Sequence, residues 1–176
     1  MTISMHSASV PIFVRILGNL STCLDKAEAH AVEKKFESSV YLGARLAPDM
    51  LPLTAQVQIA CDTVKFCVGR LAGVEGPKFE DNEASIADLK QRIAKTIDYA
   101  KSVSAAQIDG SDARSITVPR RAGPITMTGE DYLKFFALPN FFFHVTTTYA
   151  LLRHYGAPLG KMDFLGALPQ GETPAA

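Results

Sequence analysis

Apolar residues recur along this chain at steps of three and four, the spacing of one face of an α-helix. Phe13, Leu17, Leu20, Leu24 and Ala27 form the first such stripe. It comes after Ser9, a residue type that caps helix starts, and Pro11, whose missing N–H is no loss in a first turn. A helix running to about Glu33 is expected. The second stripe, Leu53, Val57, Ala60, Val64, Val68 and Leu71, enters through APDMLP and stops before Gly73, a residue type that closes helices in the left-handed conformation. The third comprises Ile86, Leu89, Ile93, Ile97 and Ala100, opened by Ser85 with Asp88 three residues on, an acidic variant of the capping box. The intervening loop from Glu37 to Met50 is long enough to hold an extra helical turn and to cross the end of a bundle.

Between Arg114 and Thr128 the pattern changes. SITV and ITMT are short β-branched runs separated by PRRAGP, which predicts a small hairpin with Arg120 and Arg121 at its tip. Thr128 with Asp131 then marks another helix start, and Pro139 is expected to break or kink the helix near its position. A fourth main helix is predicted from about Asn140 to Tyr155, ending at Gly156 with Pro158 behind it. Its phenylalanine run makes it apolar over too much of its circumference for a simple surface helix, so it either sits centrally or meets a second subunit. Four long amphipathic helices imply an all-α bundle. The expected organisation is one domain over residues 1–166 and a small, polar, flexible tail over 167–176.

Composition narrows the class of function. The 176 residues are 47% hydrophobic and 20% charged, and 18 Lys plus Arg balance 18 Asp plus Glu. A chain of this length buries about two-thirds of the surface its unfolded form exposes, enough for a core without metal or disulfide staples. Zero formal net charge argues against nucleic acid as a partner, because such binding comes largely from neutralising phosphates. Cys23, Cys61 and Cys67 contain no CxxC pair and suggest neither a disulfide framework nor a zinc knuckle. The richest apolar segment, FFALPNFFFHV, carries a Pro, an Asn and a His, so no membrane span is predicted. The N-terminus lacks the pattern of a signal peptide, and the cytoplasm is the expected compartment.

The segments SASVPIFVRILGNLSTCLDKA, RLAPDMLPLTAQVQIACDTVKFCVGRLAG and NFFFHVTTTYALLRHYGAPLGKMDFLG resemble a bacterial family of domains of unknown function within the DinB-like superfamily. The resemblance spans nearly the whole chain. It implies a four-helix bundle of up-down-down-up connectivity, commonly dimeric. Characterised members of that superfamily include metal-dependent thiol transferases and maleylpyruvate isomerases, which hold a divalent metal with one histidine on the second helix and two at i, i+4 on the last. Aligned on Leu151 to Arg153, His144 takes the place of the second histidine of the last helix. Its i, i+4 partner is Asn140, and the second-helix position falls near Gln58, with Gln56 as the alternative register.

Amide oxygens hold zinc or nickel far less well than imidazole does. The expected site is therefore a small polar pocket of Gln58, Asn140 and His144 in a homodimer paired through the last helix, with no cofactor. The alternative is a metal-dependent enzyme of the thiol-transferase or isomerase type, in which His144 remains a ligand to a divalent ion and a carboxylate such as Asp62 completes the set. A pure protein interaction module is a second alternative. Asp62 and Lys65 share a side of the second helix with Gln58, and a solvated surface ion pair is the expectation for them. His6, His30 and His154 are expected to stand alone.

Overall fold

A computed structural model describes residues 3–168. The four stripes become four long helices, α1 (Val10–Lys34), α3 (Leu53–Ala72), α4 (Ile86–Ser102) and α7 (Leu138–His154). Between them lie α2 (Ser39–Leu42), α5 (Ala105–Ile108), α6 (Gly129–Asp131), and the hairpin of β1 (Ser115–Val118) and β2 (Ile125–Thr128); α8 (Lys161–Leu165) comes after α7. The strands pair antiparallel from Ser115 with Thr128 to Val118 with Ile125, as the two β-branched runs predict. The extra turn expected after Glu37 is α2. Residues 169–176 of the expected tail lie outside the described residues. No helix among those described is long and apolar enough to cross a membrane.

Helix ends obey local chemistry. Ser85 Oγ accepts from the Asp88 backbone N–H at 3.1 Å, while the Asp88 carboxylate takes the Ser85 hydroxyl at 2.7 Å. Gly73 closes α3 with φ at +72°, and a Cβ there would lie 2.0 Å from the Arg114 guanidinium. Ser9 departs from expectation, because its hydroxyl donates to the Met5 carbonyl at 2.6 Å and caps nothing. Pro139 does not break the chain's course either. The six residues before α7, Tyr132–Ala137, form a π-helical segment instead. A proline removes one backbone donor and crowds the carbonyl four residues back; the wider π spacing relieves both and lets the helix continue.

Side-chain pairs across the interfaces set the helix directions. α3 packs against α4 and α7, and α1 against the same two. Residues 62 and 69 of α3 lie beside 92 and 99 of α4, so these helices run parallel. Gln56 meets His144 and Arg70 meets Tyr132, so α3 and α7 run antiparallel. Phe13 meets Phe141 edge-on at 4.9 Å and His30 lies against Gly156, so α1 and α7 run parallel. The connectivity is up-down-down-up.

The stripe residues form the core: Phe13, Leu17, Leu24, Val57, Val64 and Leu89 are fully buried. Each contributes roughly 1.5–3 kcal/mol through the apolar area it withdraws from water. Because α3 and α4 are parallel, the chain must travel back along them before α4 can begin. Residues 73–85 make that return strap, and Gly76 sits where a Cβ would approach the Lys65 side chain at 3.0 Å.

Candidate functional site

The polar residues of α3 divide between two flanks. On the α7 flank His144 Nδ1 lies 2.7 Å from Gln56 Oε1. Gln56 spends its amide N–H on the Leu51 carbonyl at 3.1 Å, so the oxygen faces the ring and the imidazole carries its proton on Nδ1. His144 is only 7% exposed, and burial holds its pKa below the ordinary 6.5. Neutral amides offer no charge to offset that penalty. One turn earlier, Asn140 Nδ2 donates to Thr63 Oγ1 at 2.8 Å, and Thr63 donates to the Ile59 carbonyl at 2.7 Å.

Gln58 does not join this group. It points to the α4 flank, where its Nε2 donates to Glu83 at 2.7 Å. Two residues on a helix stand about 200° apart, so Gln56 and Gln58 cannot serve the same neighbour. Gln56, the alternative register, is the residue that meets His144.

On that α4 flank the expectation of a solvated ion pair is corrected. Lys65 is 5% exposed and Arg92 3% exposed. Asp62 accepts from both, at 2.8 Å and 3.0 Å, and Arg92 also reaches Glu83 at 2.9 Å and the strap carbonyl of Glu80 at 3.1 Å. Phe79 of the strap lies over the Lys65 ammonium at 4.8 Å and the Arg92 guanidinium at 5.6 Å. Burial pushes the Glu83 carboxyl up, but hydrogen bonds from Gln58 and Arg92 outweigh it and hold it below its ordinary value. The same pairing outweighs desolvation at Arg92 and keeps its pKa raised. The cluster clamps the strap over two parallel helices.

A cleft of about 280 Å³ opens between α3, the π-helical segment and the end of β1. Ile59, Phe66 and Arg70 form one wall, Tyr132, Phe136 and Asn140 the other, and Val118 and Pro119 close it from the hairpin. Tyr132 is buried and its phenol is pushed up to about 12, chiefly by desolvation, so it stays protonated. The sequence does not announce the cleft as a unit. Its signal there is confined to Asn140 and to the two basic residues beyond Pro119.

The donor set does not fit the superfamily's metal. Among the described residues no three His, Cys, Asp or Glu side chains converge on a common point. His144 keeps Nε2 as a lone-pair nitrogen, yet both neighbouring positions are amides already bonded to protein. Burial raises the Cys23 and Cys61 thiols to about 11 and about 12 and pushes Cys67 up as well, so none is a thiolate donor near neutrality. His30, expected to stand alone, bonds the Tyr41 hydroxyl at 2.7 Å.

Parallel second and third helices, a crossover strap and a hairpin leading into the last helix define a DinB-like bundle. A crystal structure of a DinB family member protein from Shewanella denitrificans is similar throughout, with 42% identity and a TM-score of 0.90 over 96% of this chain and 95% of that one. Residues 5–165 match the family described as a domain of unknown function, DUF1993, and the chain belongs to that family. No curated relative matches it.

Proposed function

We propose that this DinB-like bundle works without the superfamily's metal, as a homodimer paired through α7, and offers the α3–α7 cleft to a small molecule. The observation that carries the proposal is how the polar residues of this flank are spent. His144 and Asn140 support protein hydrogen bonds, while the aromatic cleft beside Asn140 stays open. A cleft of this kind, apolar with a few convergent polar groups, is the usual form of a small-ligand site. The metal-dependent alternative would need Asp62 to complete a donor set with His144, and Asp62 is committed to Lys65 and Arg92.

The dimer rests on the outer face of α7. Phe135 is 71% and Phe143 56% exposed, and Pro139 and Thr146 share their side of the helix. No charged residue interrupts the sequence between Lys134 and Arg153, and Leu46 extends the apolar surface beside Phe143. Burying one phenylalanine per copy contributes about 2 kcal/mol. Three buried, free cysteines suit a reducing cytoplasm. Sedimentation of the 19.0 kDa chain at micromolar concentration should give a dimer, and Phe143→Glu should give a monomer with an unchanged circular dichroism spectrum. A wild-type protein that sediments only as a monomer would refute the pairing.

A further inference from the structure

Arg70 differs from the buried cations of the bundle. Lys65 and Arg92 each hold carboxylates, whereas Arg70 pairs with none among the described residues. Its guanidinium lies over the Phe66 ring at 5.1 Å and the Tyr132 ring at 5.6 Å, and Nη1 donates to the Tyr132 hydroxyl at 3.0 Å. That bond uses one donor of a fork that has five. The one carboxylate on the cleft wall, Asp62, is turned to Lys65 and Arg92, which neutralise it. Tyr132 is uncharged, and past Pro119 the hairpin tip carries Arg120 and Arg121, both exposed. The mouth is thus electropositive in a chain of zero formal net charge.

The far end of the cleft has the opposite need. Asn140 donates its N–H to Thr63, which leaves the amide oxygen as an acceptor. Thr63 and Arg70 stand seven residues apart on α3, about 10 Å along the helix axis. Ile59, Phe66 and Phe136 line the space between.

We infer that this cleft binds a small aromatic carboxylate, its carboxylate on the Arg70 fork, its ring between Phe66 and Phe136, and a hydroxyl or N–H donor at its far end on Asn140. A planar guanidinium matches a carboxylate with two parallel hydrogen bonds, and the apolar walls keep water from competing for them. Arg120 and Arg121 raise the local concentration of anions. This inference rests on the proposed use of the cleft as a small-molecule site.

The test is calorimetric titration of the untagged full chain with 4-hydroxyphenylacetate, its uncharged amide, phenylacetate and inorganic phosphate. The acid should bind with submillimolar affinity, and its amide and phosphate at least tenfold more weakly. Arg70→Gln should weaken the acid at least tenfold, and Arg70→Lys, which keeps the charge but not the fork, should fall between. Asn140→Ala should bring 4-hydroxyphenylacetate down to the level of phenylacetate. Equal binding of acid and amide would overturn the anion assignment and leave the small-molecule cleft standing. Binding of neither at millimolar concentration would overturn both, and phosphate binding as tightly as the acid would overturn the aromatic body.

Discussion

Helix α3 faces α4 on one side and α7 on the other, and its polar residues are treated oppositely on the two. Toward α4 every charge is matched: Lys65 and Arg92 share Asp62, Arg92 takes Glu83, and Phe79 of the strap lies over both cations. Toward α7 the buried groups are neutral and one guanidinium faces an open cleft without a carboxylate. Closed charge balance marks a joint of the fold, since a buried ion is tolerated only where its partners repay desolvation. Incomplete balance beside an open cleft marks a place for something else. The flank that carries the conspicuous charges is therefore the structural one.

The largest effect should come from unbalancing the closed flank. Arg92→Ala leaves Asp62 and Glu83 facing one remaining cation and should cost about 3–5 kcal/mol in urea unfolding. Arg70→Ala removes a half-exposed cation with a single hydrogen bond, so a loss of about 1 kcal/mol is expected. Equal losses would erase the distinction between the flanks. Ser85→Ala, which removes the cap where the strap enters α4, should cost about 1 kcal/mol.

His144 yields the smallest effect and the most specific one. Burial lowers its folded pKa below the ordinary 6.5, so the neutral ring is the native form. Its contribution is fully present above the unfolded pKa, declines as pH falls through the interval down to the folded pKa, and then levels off. The carboxyls held low at Glu83, Asp88 and Asp163 act further into the acid range, which separates the two. His144→Gln should thus remove the stability difference between about pH 7.5 and about pH 5 without changing the fold. A variant that keeps the slope would place its origin elsewhere.

Legibility in the sequence depends on the range over which each signal acts. The four helices, the hairpin and the Ser85 cap depend on neighbours within a few positions, and all stand where the periodicity puts them. The inward, amide-bonded, neutral His144 was legible because an imidazole on an apolar helix needs a partner. Which glutamine supplies it was not, since Gln56 and Gln58 differ only in the rotation of α3 against α7, and packing sets that rotation. The burial of Lys65 was hidden for a related reason. Its shelter comes from Phe79 on a strap without periodicity, and Arg92, which shares Asp62 with it, lies 30 residues beyond Asp62. Pro139 correctly announced a disturbance, but the chain absorbed it as a π-helical segment ahead of α7, and that segment supplies Tyr132 and Phe136 to the cleft.

The absence of triad metal chemistry from the neutral flank is tested most directly by elemental analysis of protein purified without an affinity tag. With His144 bonded to Gln56 and Asn140 to Thr63, zinc, nickel and manganese should each be found far below one equivalent per chain, in wild type and in His144→Ala alike. Near-stoichiometric metal in the wild type that disappears in His144→Ala would contradict this and return His144 to the role of ligand.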